Sequence, residues 1–182
     1  MEKILQGKKI LLGVTGSIAA YKACSLLRLL QNNGAEVKVV MTKNACEFVA
    51  PLTFQTLSKN KVMIDNFEKI GAWDPQHISH ADWADILVIA PATANIIAKI
   101  TYGIADDALS SIALAFLKPI LIVPAMNCNM YMNAATQNNF ELLRKRGVQL
   151  MESATGELAC GYSGIGRFPE LPKILNEIQK VL

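Results

Sequence analysis

Short apolar runs alternate along the chain with longer segments in which apolar residues recur every three or four positions. The runs predict buried strands at 9–14, 36–41, 85–90, 119–123 and 148–151. The periodic segments predict helices from about 18 to 33, within 42–57 with a break near Pro51, within 96–116, over 134–146 and over 171–182. Residues 61–74 are expected to be irregular with a possible short strand, and 153–169 to be a long glycine-rich loop.

This alternation of strands and helices predicts an open α/β sheet with helices on both of its faces. Strands that are joined through helices run parallel, so the sheet should be mostly parallel. The sequence shows no internal repeat and no linker, which predicts one domain over 1–182. Sheets of this kind bind ligands beyond the carboxyl ends of their strands. The turns that follow the predicted strands are therefore the first places to look for a site.

Composition narrows the class of protein. Hydrophobic residues make up 52% of the chain and charged residues 18%, against about 25% charged in an average domain. This excludes disorder and indicates a surface that is partly covered in an oligomer.

A net charge of +3, with no basic run longer than the three residues Arg144–Arg146, does not favour a nucleic-acid partner. The apolar runs are far shorter than the ~18 residues of a membrane span. The start lacks a secretory layout and the four cysteines are scattered, so we expect a cytoplasmic protein with free thiols.

The first strand is followed by the turn Gly13–Ser17. It matches neither G-x-G-x-x-G nor the phosphate loop G-x-x-x-x-G-K-[ST]. Gly16 nevertheless permits a phosphate to approach the backbone, and Ser17 offers a hydroxyl and a helix N-cap. The turn therefore predicts an anion site, with an ordinary tight turn and a capping serine as the alternative.

Two further turns bear on the kind of ligand. The second strand ends in Val40–Lys43 without the carboxylate that an NAD site places near this point, which favours a mononucleotide such as FMN, with Thr42 as a hydrogen-bonding group. The turn Pro91–Asn95 is small enough to admit a flat ring, and Thr93 and Asn95 can hydrogen-bond its edge. The alternative is a plain turn in which Asn95 only caps the next helix.

Histidine and cysteine residues supply the remaining candidate chemistry. His77 and His80 are the only histidines and can share a helical face, but no cysteine or carboxylate completes a metal site, so no metal is expected. Cys160 and Arg167 lie in the long glycine-rich loop, which is typical of a lid that delivers a proton. The alternative is a surface loop with an incidental thiol. Gly161–Ile165 lacks the last glycine of a nucleophile elbow, which argues against a hydrolase.

Several segments, taken together and in order, resemble one known family. They are Gly13–Ala20, His77-Ile78, Pro91–Asn95, Pro124–Tyr131 and Ala159–Arg167. Together they are similar to the homo-oligomeric flavin-containing cysteine decarboxylases, most closely to the branch that acts on 4′-phosphopantothenoylcysteine in coenzyme A biosynthesis. The resemblance implies a flavodoxin-like or Rossmann-like three-layer sandwich that assembles into trimers or dodecamers.

The resemblance also implies where FMN and the substrate bind. FMN would lie at a subunit interface. Its contacts would include Gly16, Ser17, Ile18, Thr42, Phe54, Ala92, Thr93 and Asn95. Asn127 would bind the substrate carboxylate, and Ala125, Met126 and Met130 would shape the substrate pocket. This gives one small-molecule site that is shared between copies of the chain.

The implied reaction is an FMN-dependent decarboxylation that gives 4′-phosphopantetheine and CO₂. Oxidation of the substrate cysteine to a thioaldehyde provides an electron sink, so CO₂ leaves to give an enethiolate, which is then reduced. His77 would be the active-site histidine, as a base or an orienting group, and Cys160 the acid of the reductive step.

Some positions depart from the family pattern, and several alternative functions stay open. Tyr162, Phe168 and Tyr131 stand where relatives commonly have aspartate, methionine and tryptophan. The chain has no room for the ligase domain of bifunctional relatives, so a stand-alone decarboxylase is expected. The alternatives are a peptidyl-cysteine decarboxylase of the lantibiotic type, a prenyl-transferring flavoprotein and a non-catalytic flavin-binding regulatory subunit. The Ala159–Gly161 segment argues against the first, and the absence of an acidic tail against the last.

Overall fold

The computed structural model describes residues 3–65, 76–157, 161 and 163–182. Its centre is a five-stranded sheet with the strand order β2-β1-β3-β4-β5, in which every neighbouring pair is parallel. The strands are β1 (Lys9–Val14), β2 (Glu36–Met41), β3 (Ile86–Ala92), β4 (Ile120–Pro124) and β5 (Gln149–Leu150). The predicted flavodoxin-like sheet is confirmed, and this strand order places its topological switch point between β1 and β3.

Helices connect and cover these strands. They are α1 (Ala20–Asn32), α2 (Lys43–Cys46), α3 (Pro51–Ser58), α4 (Gln76–Trp83), α5 (Ala94–Tyr102), α6 (Ala108–Ala115), α7 (Cys128–Met132), α8 (Ala134–Lys145) and α9 (Leu171–Val181). Pro51 occupies the first turn of α3, where its fixed φ suits a helix start, and the predicted break before it is confirmed. Among the described residues, no helix is long and apolar enough to cross a bilayer.

The sheet is buried on both faces, which gives the three layers. Alternate strand residues point to opposite sides. Ile10 and Leu12 pack with α1, α3 and α9, whereas Leu11 and Leu87 pack with α4, α5, α6 and α8. All of these strand side chains are fully buried. Because both sides of the sheet are covered, the strands read as unbroken apolar runs rather than alternating ones.

The prediction of an irregular loop over 153–169 is wrong. An antiparallel hairpin forms there, with strands β6 (Ala154–Glu157) and β7 (Ser163–Arg167). Its strands are short and carry three glycines, so they lack the β-branched and aromatic pattern by which strands are recognised. The helices α4 and α7 also went unpredicted, since they span only eight and five residues of mixed composition.

Candidate functional site

A cleft of about 850 Å³ opens at the carboxyl ends of β1, β3 and β4. Its walls are the turn after β1, the start of α5, the loop after β4 and the β6–β7 hairpin. A smaller cleft of about 440 Å³ adjoins it and shares Gly16, Thr93 and Met130 with it. The two clefts therefore form one continuous groove beside the switch point, where α/β sheets of this order bind ligands.

The turn after β1 is fixed to the loop after β4 by Ser17. The Ser17 hydroxyl donates to the carbonyl oxygen of Ala125 over 3.2 Å and accepts from the backbone nitrogen of Ala19 over 3.3 Å. Helix α1 begins only at Ala20, so the prediction that Ser17 is its N-cap is wrong. The serine instead joins two turns that are 108 residues apart in sequence.

A buried hydroxyl that the sequence analysis missed joins the same turn to the end of β3. Thr15 Oγ1 donates to the carbonyl oxygen of Pro91 over 2.7 Å and accepts from the backbone nitrogen of Thr93 over 3.0 Å. Both distances are those of good hydrogen bonds. The signal in the sequence was a polar residue directly after an apolar strand, which would be costly to bury without partners.

The smaller cleft gathers Gly16 and three polar residues of the predicted cofactor set. Thr42 caps α2 by accepting from the Ala45 nitrogen, and Thr93 caps α5 by accepting from the Ile96 nitrogen. Asn95 lies inside α5, so the alternative in which Asn95 caps that helix is wrong. All three polar residues line the smaller cleft.

Gly16 lines both clefts, but the structure gives it a further reason to be glycine. A Cβ atom at this position would lie 2.6 Å from Cβ of Asn44 and 3.1 Å from its backbone. The turn after β1 therefore packs directly on the start of α2. This close approach brings the first and second strand ends together at the groove.

The groove suits a flavin mononucleotide in the chemistry of its walls. Apolar side chains of Ile18, Met126 and Met130 provide flat contact area, while hydroxyls and amides supply neutral donors and acceptors. Lys43 and Lys99 also line the smaller cleft, where Lys43 is paired with Asp65, and Lys99 with Asp106 and Asp107. A ring system with a polar edge requires such apolar area together with donors and acceptors.

Lys99 holds two carboxylates at the margin of the smaller cleft. Its Nζ lies 2.6 Å from Asp106 Oδ1 and 2.7 Å from Asp107 Oδ2. Burial favours the neutral lysine, but the hydrogen bonds to both aspartates outweigh it and raise the pKa of Lys99. Burial likewise opposes ionisation of Asp107, yet hydrogen bonds from Lys99 and Ser110 lower the pKa of its carboxyl. Asp107 also caps α6 with Ser110 in a capping box.

We expect Asp107→Asn to lose about 1 kcal/mol of stability at neutral pH, because the cap is kept while the ion pair with Lys99 is lost. The folded state lowers the pKa of Asp107, so its contribution is present above the unfolded pKa of about 3.9. That contribution disappears as the pH falls through the lower folded-state pKa. Denaturant unfolding between pH 7 and pH 2 should show the two proteins converging in acid. An equal stability difference across that range would contradict the assignment, and Asp82→Asn, at an exposed site, is the control.

The loop after β4 and the helix α7 that follows it carry the four predicted substrate residues. Ala125, Met126, Asn127 and Met130 all line the larger cleft. Asn127 Oδ1 accepts from the Asn129 nitrogen over 2.8 Å at the start of α7, which fixes the orientation of its amide. The buried Ser153 hydroxyl donates to the carbonyl oxygen of Pro124 over 2.9 Å and secures the base of the loop.

The β6–β7 hairpin packs on this loop through a glycine that the sequence analysis did not single out. The Met126 nitrogen donates to the carbonyl oxygen of Gly166 over 3.0 Å. Gly166 has φ +124, and a Cβ atom there would lie 2.3 Å from the carbonyl oxygen of Met126. Only glycine fits this contact without displacement. Glu157, Arg167 and Phe168 then complete the wall of the larger cleft.

Three of the predicted site residues do not line the groove, and a fourth lies outside the described residues. Phe54 and Ala92 are fully buried in the two hydrophobic cores. His77 lies on α4, partly exposed, and lines neither cleft of this chain. Cys160 lies outside the described residues, as does Tyr162. Within the described part of the chain, no three histidine, cysteine or acidic side chains are grouped as a metal site.

Comparison with known proteins identifies the family of this chain. The sequence model of the family described as Flavoprotein matches residues 1–182. The coenzyme A biosynthesis bifunctional protein CoaBC of Bacillus subtilis is 46% identical over 177 residues, which are 97% of this chain and 44% of that protein. The chain therefore spans less than half the length of this curated relative.

Solved structures give the same family. A cysteine-to-serine mutant of a PPC decarboxylase, complexed with pantothenoylaminoethenethiol, superposes with a TM-score of 0.84 at 32% identity, covering 95% of this chain and 97% of that one. The FMN-dependent cysteine decarboxylase SpaF gives a TM-score of 0.83 at 29% identity, covering 97% and 96%. The expected flavin cofactor and carboxy-lyase class are thus confirmed at the level of the family. The chain belongs to the flavoprotein family, among the flavin-dependent cysteine decarboxylases.

Proposed function

We propose that this chain binds FMN and decarboxylates 4′-phosphopantothenoylcysteine to 4′-phosphopantetheine and CO₂, as a step of coenzyme A biosynthesis. The observation that carries the proposal is the larger cleft, in which the Asn127 loop and the β6–β7 hairpin face the turn after β1. Its support from relatives is the match of nearly the whole chain to part of a coenzyme A biosynthesis protein and to a PPC decarboxylase.

The residues proposed to hold FMN are those of the continuous groove. Ser17, Thr42, Thr93 and Asn95 provide neutral hydrogen-bonding groups at three strand ends. FMN, when bound, supplies the two-electron oxidation and reduction on which loss of CO₂ from a cysteine depends. The protein binds and orients the reactants and excludes water from between them.

Asn127 is proposed to bind the carboxylate that leaves as CO₂. Its Oδ1 accepts from the Asn129 nitrogen, and its amide NH₂ would be the group that donates to a carboxylate in the cleft. A neutral amide orients a carboxylate without adding a fixed positive charge. Such a charge would stabilise the carboxylate more than neutral CO₂ and would slow the reaction.

His77 is proposed to act in the cleft of a neighbouring subunit, as a base or an orienting group. Helix α4 packs on α6, and this side of the molecule exposes large apolar side chains: Ile78 is 40%, Leu114 61% and Leu117 98% exposed. Apolar area of this kind is typical of a surface that is covered in an oligomer. A homotrimer, alone or within a dodecamer, would bring α4 of one copy to the groove of another.

Cys160 is proposed to protonate the enethiol intermediate in the reductive half of the reaction. We expect Cys160→Ser to release CO₂ but to stop before 4′-phosphopantetheine, because only the late proton donor is removed. Mass spectrometry of the products should detect a species two hydrogens lighter than 4′-phosphopantetheine. Cys128→Ser, the same change at a cysteine that lies against Gly164, is the matched control. Wild-type amounts of 4′-phosphopantetheine from Cys160→Ser would contradict this role.

The function is tested by the visible spectrum of the purified protein, followed by addition of 4′-phosphopantothenoylcysteine. We expect bands at about 370 and 450 nm from oxidised flavin, and CO₂ release with substrate. A yellow protein that leaves this substrate unchanged would overturn the proposal in favour of a peptidyl-cysteine decarboxylase or a regulatory subunit. A colourless protein that does not take up FMN would overturn the cofactor site itself.

A further inference from the structure

The larger cleft holds two basic side chains that decarboxylation does not use. Arg167 ends β7 and Lys22 lies on α1, and both line this cleft. Glu157 is the only acidic side chain among its described lining residues. The cleft is therefore biased toward an anionic ligand.

The setting of Arg167 leaves its guanidinium able to bind such a ligand. Its Nη2 is 3.7 Å from Glu170 Oε1, beyond hydrogen-bond distance, and the two side chains are 42% and 65% exposed. On the neighbouring strand, a Cβ atom at Gly156 would lie 3.2 Å from Arg167 Nη1. The glycine thus makes room for the arginine head against β6, which favours one position of the side chain over many.

The proposed substrate carries two anionic groups of different kinds. Its carboxylate must be lost as neutral CO₂ and is matched with the uncharged Asn127, whereas its phosphate is retained through the reaction. A planar guanidinium suits a phosphate because it donates two parallel hydrogen bonds. A positive charge at the phosphate end adds binding energy without opposing the loss of CO₂.

We propose that Arg167 binds the phosphate of the substrate and makes the enzyme prefer phosphorylated over unphosphorylated pantothenoylcysteine. This inference rests on the proposed function. Gly166, directly before Arg167, is hydrogen-bonded to Met126, directly before Asn127, so Arg167 and Asn127 belong to one connected unit of structure at the cleft. Lys22 adds positive potential to the same cleft. FMN also carries a phosphate monoester, so the test has to show which of the two phosphates Arg167 binds.

The test compares kcat/KM for 4′-phosphopantothenoylcysteine and for pantothenoylcysteine in the FMN-loaded protein. We expect the preference for the phosphorylated substrate to fall on the order of tenfold in Arg167→Gln, the loss expected when one charge-assisted contact is removed. Arg167→Lys should recover part of the preference. Arg28→Gln, an arginine change on α1 away from the larger cleft, should keep the wild-type ratio.

The outcomes separate this inference from the function on which it rests. An unaltered ratio in Arg167→Gln, with CO₂ still released, would overturn the phosphate assignment and leave the decarboxylase standing. Flavin fluorescence measures the preference of the protein for FMN over riboflavin. A weaker preference in Arg167→Gln would assign the arginine to the cofactor phosphate and would also overturn its assignment to the substrate phosphate. Absence of CO₂ release by the wild type from either substrate would overturn the proposed function, and this inference with it.

Discussion

The His77→Asn protein is expected to remain yellow and to release CO₂ more than a hundredfold more slowly than the wild type. Histidine titrates near neutral pH and can take or hold a proton, whereas asparagine can only orient a partner. His77 lies on the surface of α4 and lines neither cleft of its own chain, so the change should leave the fold and the flavin groove intact. The measurements are CO₂ release and flavin content. Wild-type turnover would return His77 to a structural role.

Two further variants sharpen this test. His80→Asn makes the same change one turn along α4 and should retain most of the activity. If damage to α4 were the cause, both variants would lose turnover together. Coexpression of His77→Asn with Asn127→Ala tests whether the two residues meet across an interface. Mixed oligomers should regain activity, because some clefts then combine an intact His77 with an intact Asn127. No recovery would place both residues in the site of one chain.

We expect Gly166→Ala to lower kcat/KM at least tenfold and to reduce stability by about 2 kcal/mol or more. Its Cβ would lie 2.3 Å from the carbonyl oxygen of Met126, closer than any non-bonded contact permits. The hairpin must then move away from the Asn127 loop and break the hydrogen bond between the Met126 nitrogen and Gly166. Substrate contacts on both elements would lose their spacing, and near-attack geometry tolerates little displacement.

Gly147→Ala is the matched control for this change. Gly147 has φ +82 and no atom within 4 Å of its Cβ position. Alanine at this position would therefore be destabilised only by the left-handed backbone conformation and not by a steric contact. Thermal unfolding and steady-state kinetics of the two variants separate that cost from the steric contact. Equal losses of stability together with wild-type kinetics in Gly166→Ala would show that the hairpin does not position the substrate loop.

The sheet was predictable because its strands are buried on both faces. Five apolar runs of about six residues sufficed to place β1 to β5, and the ends shifted by two residues or fewer. The largest difference is at β3, which continues through Pro91 and Ala92, where a turn was expected. The hairpin 154–167 could not be found in this way. It is held by contacts with the Asn127 loop rather than by a hydrophobic face of its own.

The sequence predicted where the site lies, at the ends of the strands, better than it predicted the contacts between the residues of the site. Position after a parallel strand was enough to nominate Ser17, Thr42 and Thr93. The family resemblance implied Asn127, and all four residues line the groove. The roles of Thr15 and Gly166 depend on distances between segments far apart in sequence, which spacing does not give. His77 and Cys160 stay predictions from the resemblance, because one lines neither cleft and the other is outside the described residues.

The hydroxyls of Thr15 and Ser17 have a consequence for how the groove is assembled. They bridge backbone positions 76 and 108 residues apart, so the groove takes shape only after β1, β3 and β4 have come together. A partly folded chain that lacks any of these strands presents no complete binding surface. A ligand that binds only the native groove then stabilises the whole sheet by mass action, since it has no affinity for the unfolded chain. The free energy of unfolding of this protein should therefore rise as the groove is occupied by its ligand.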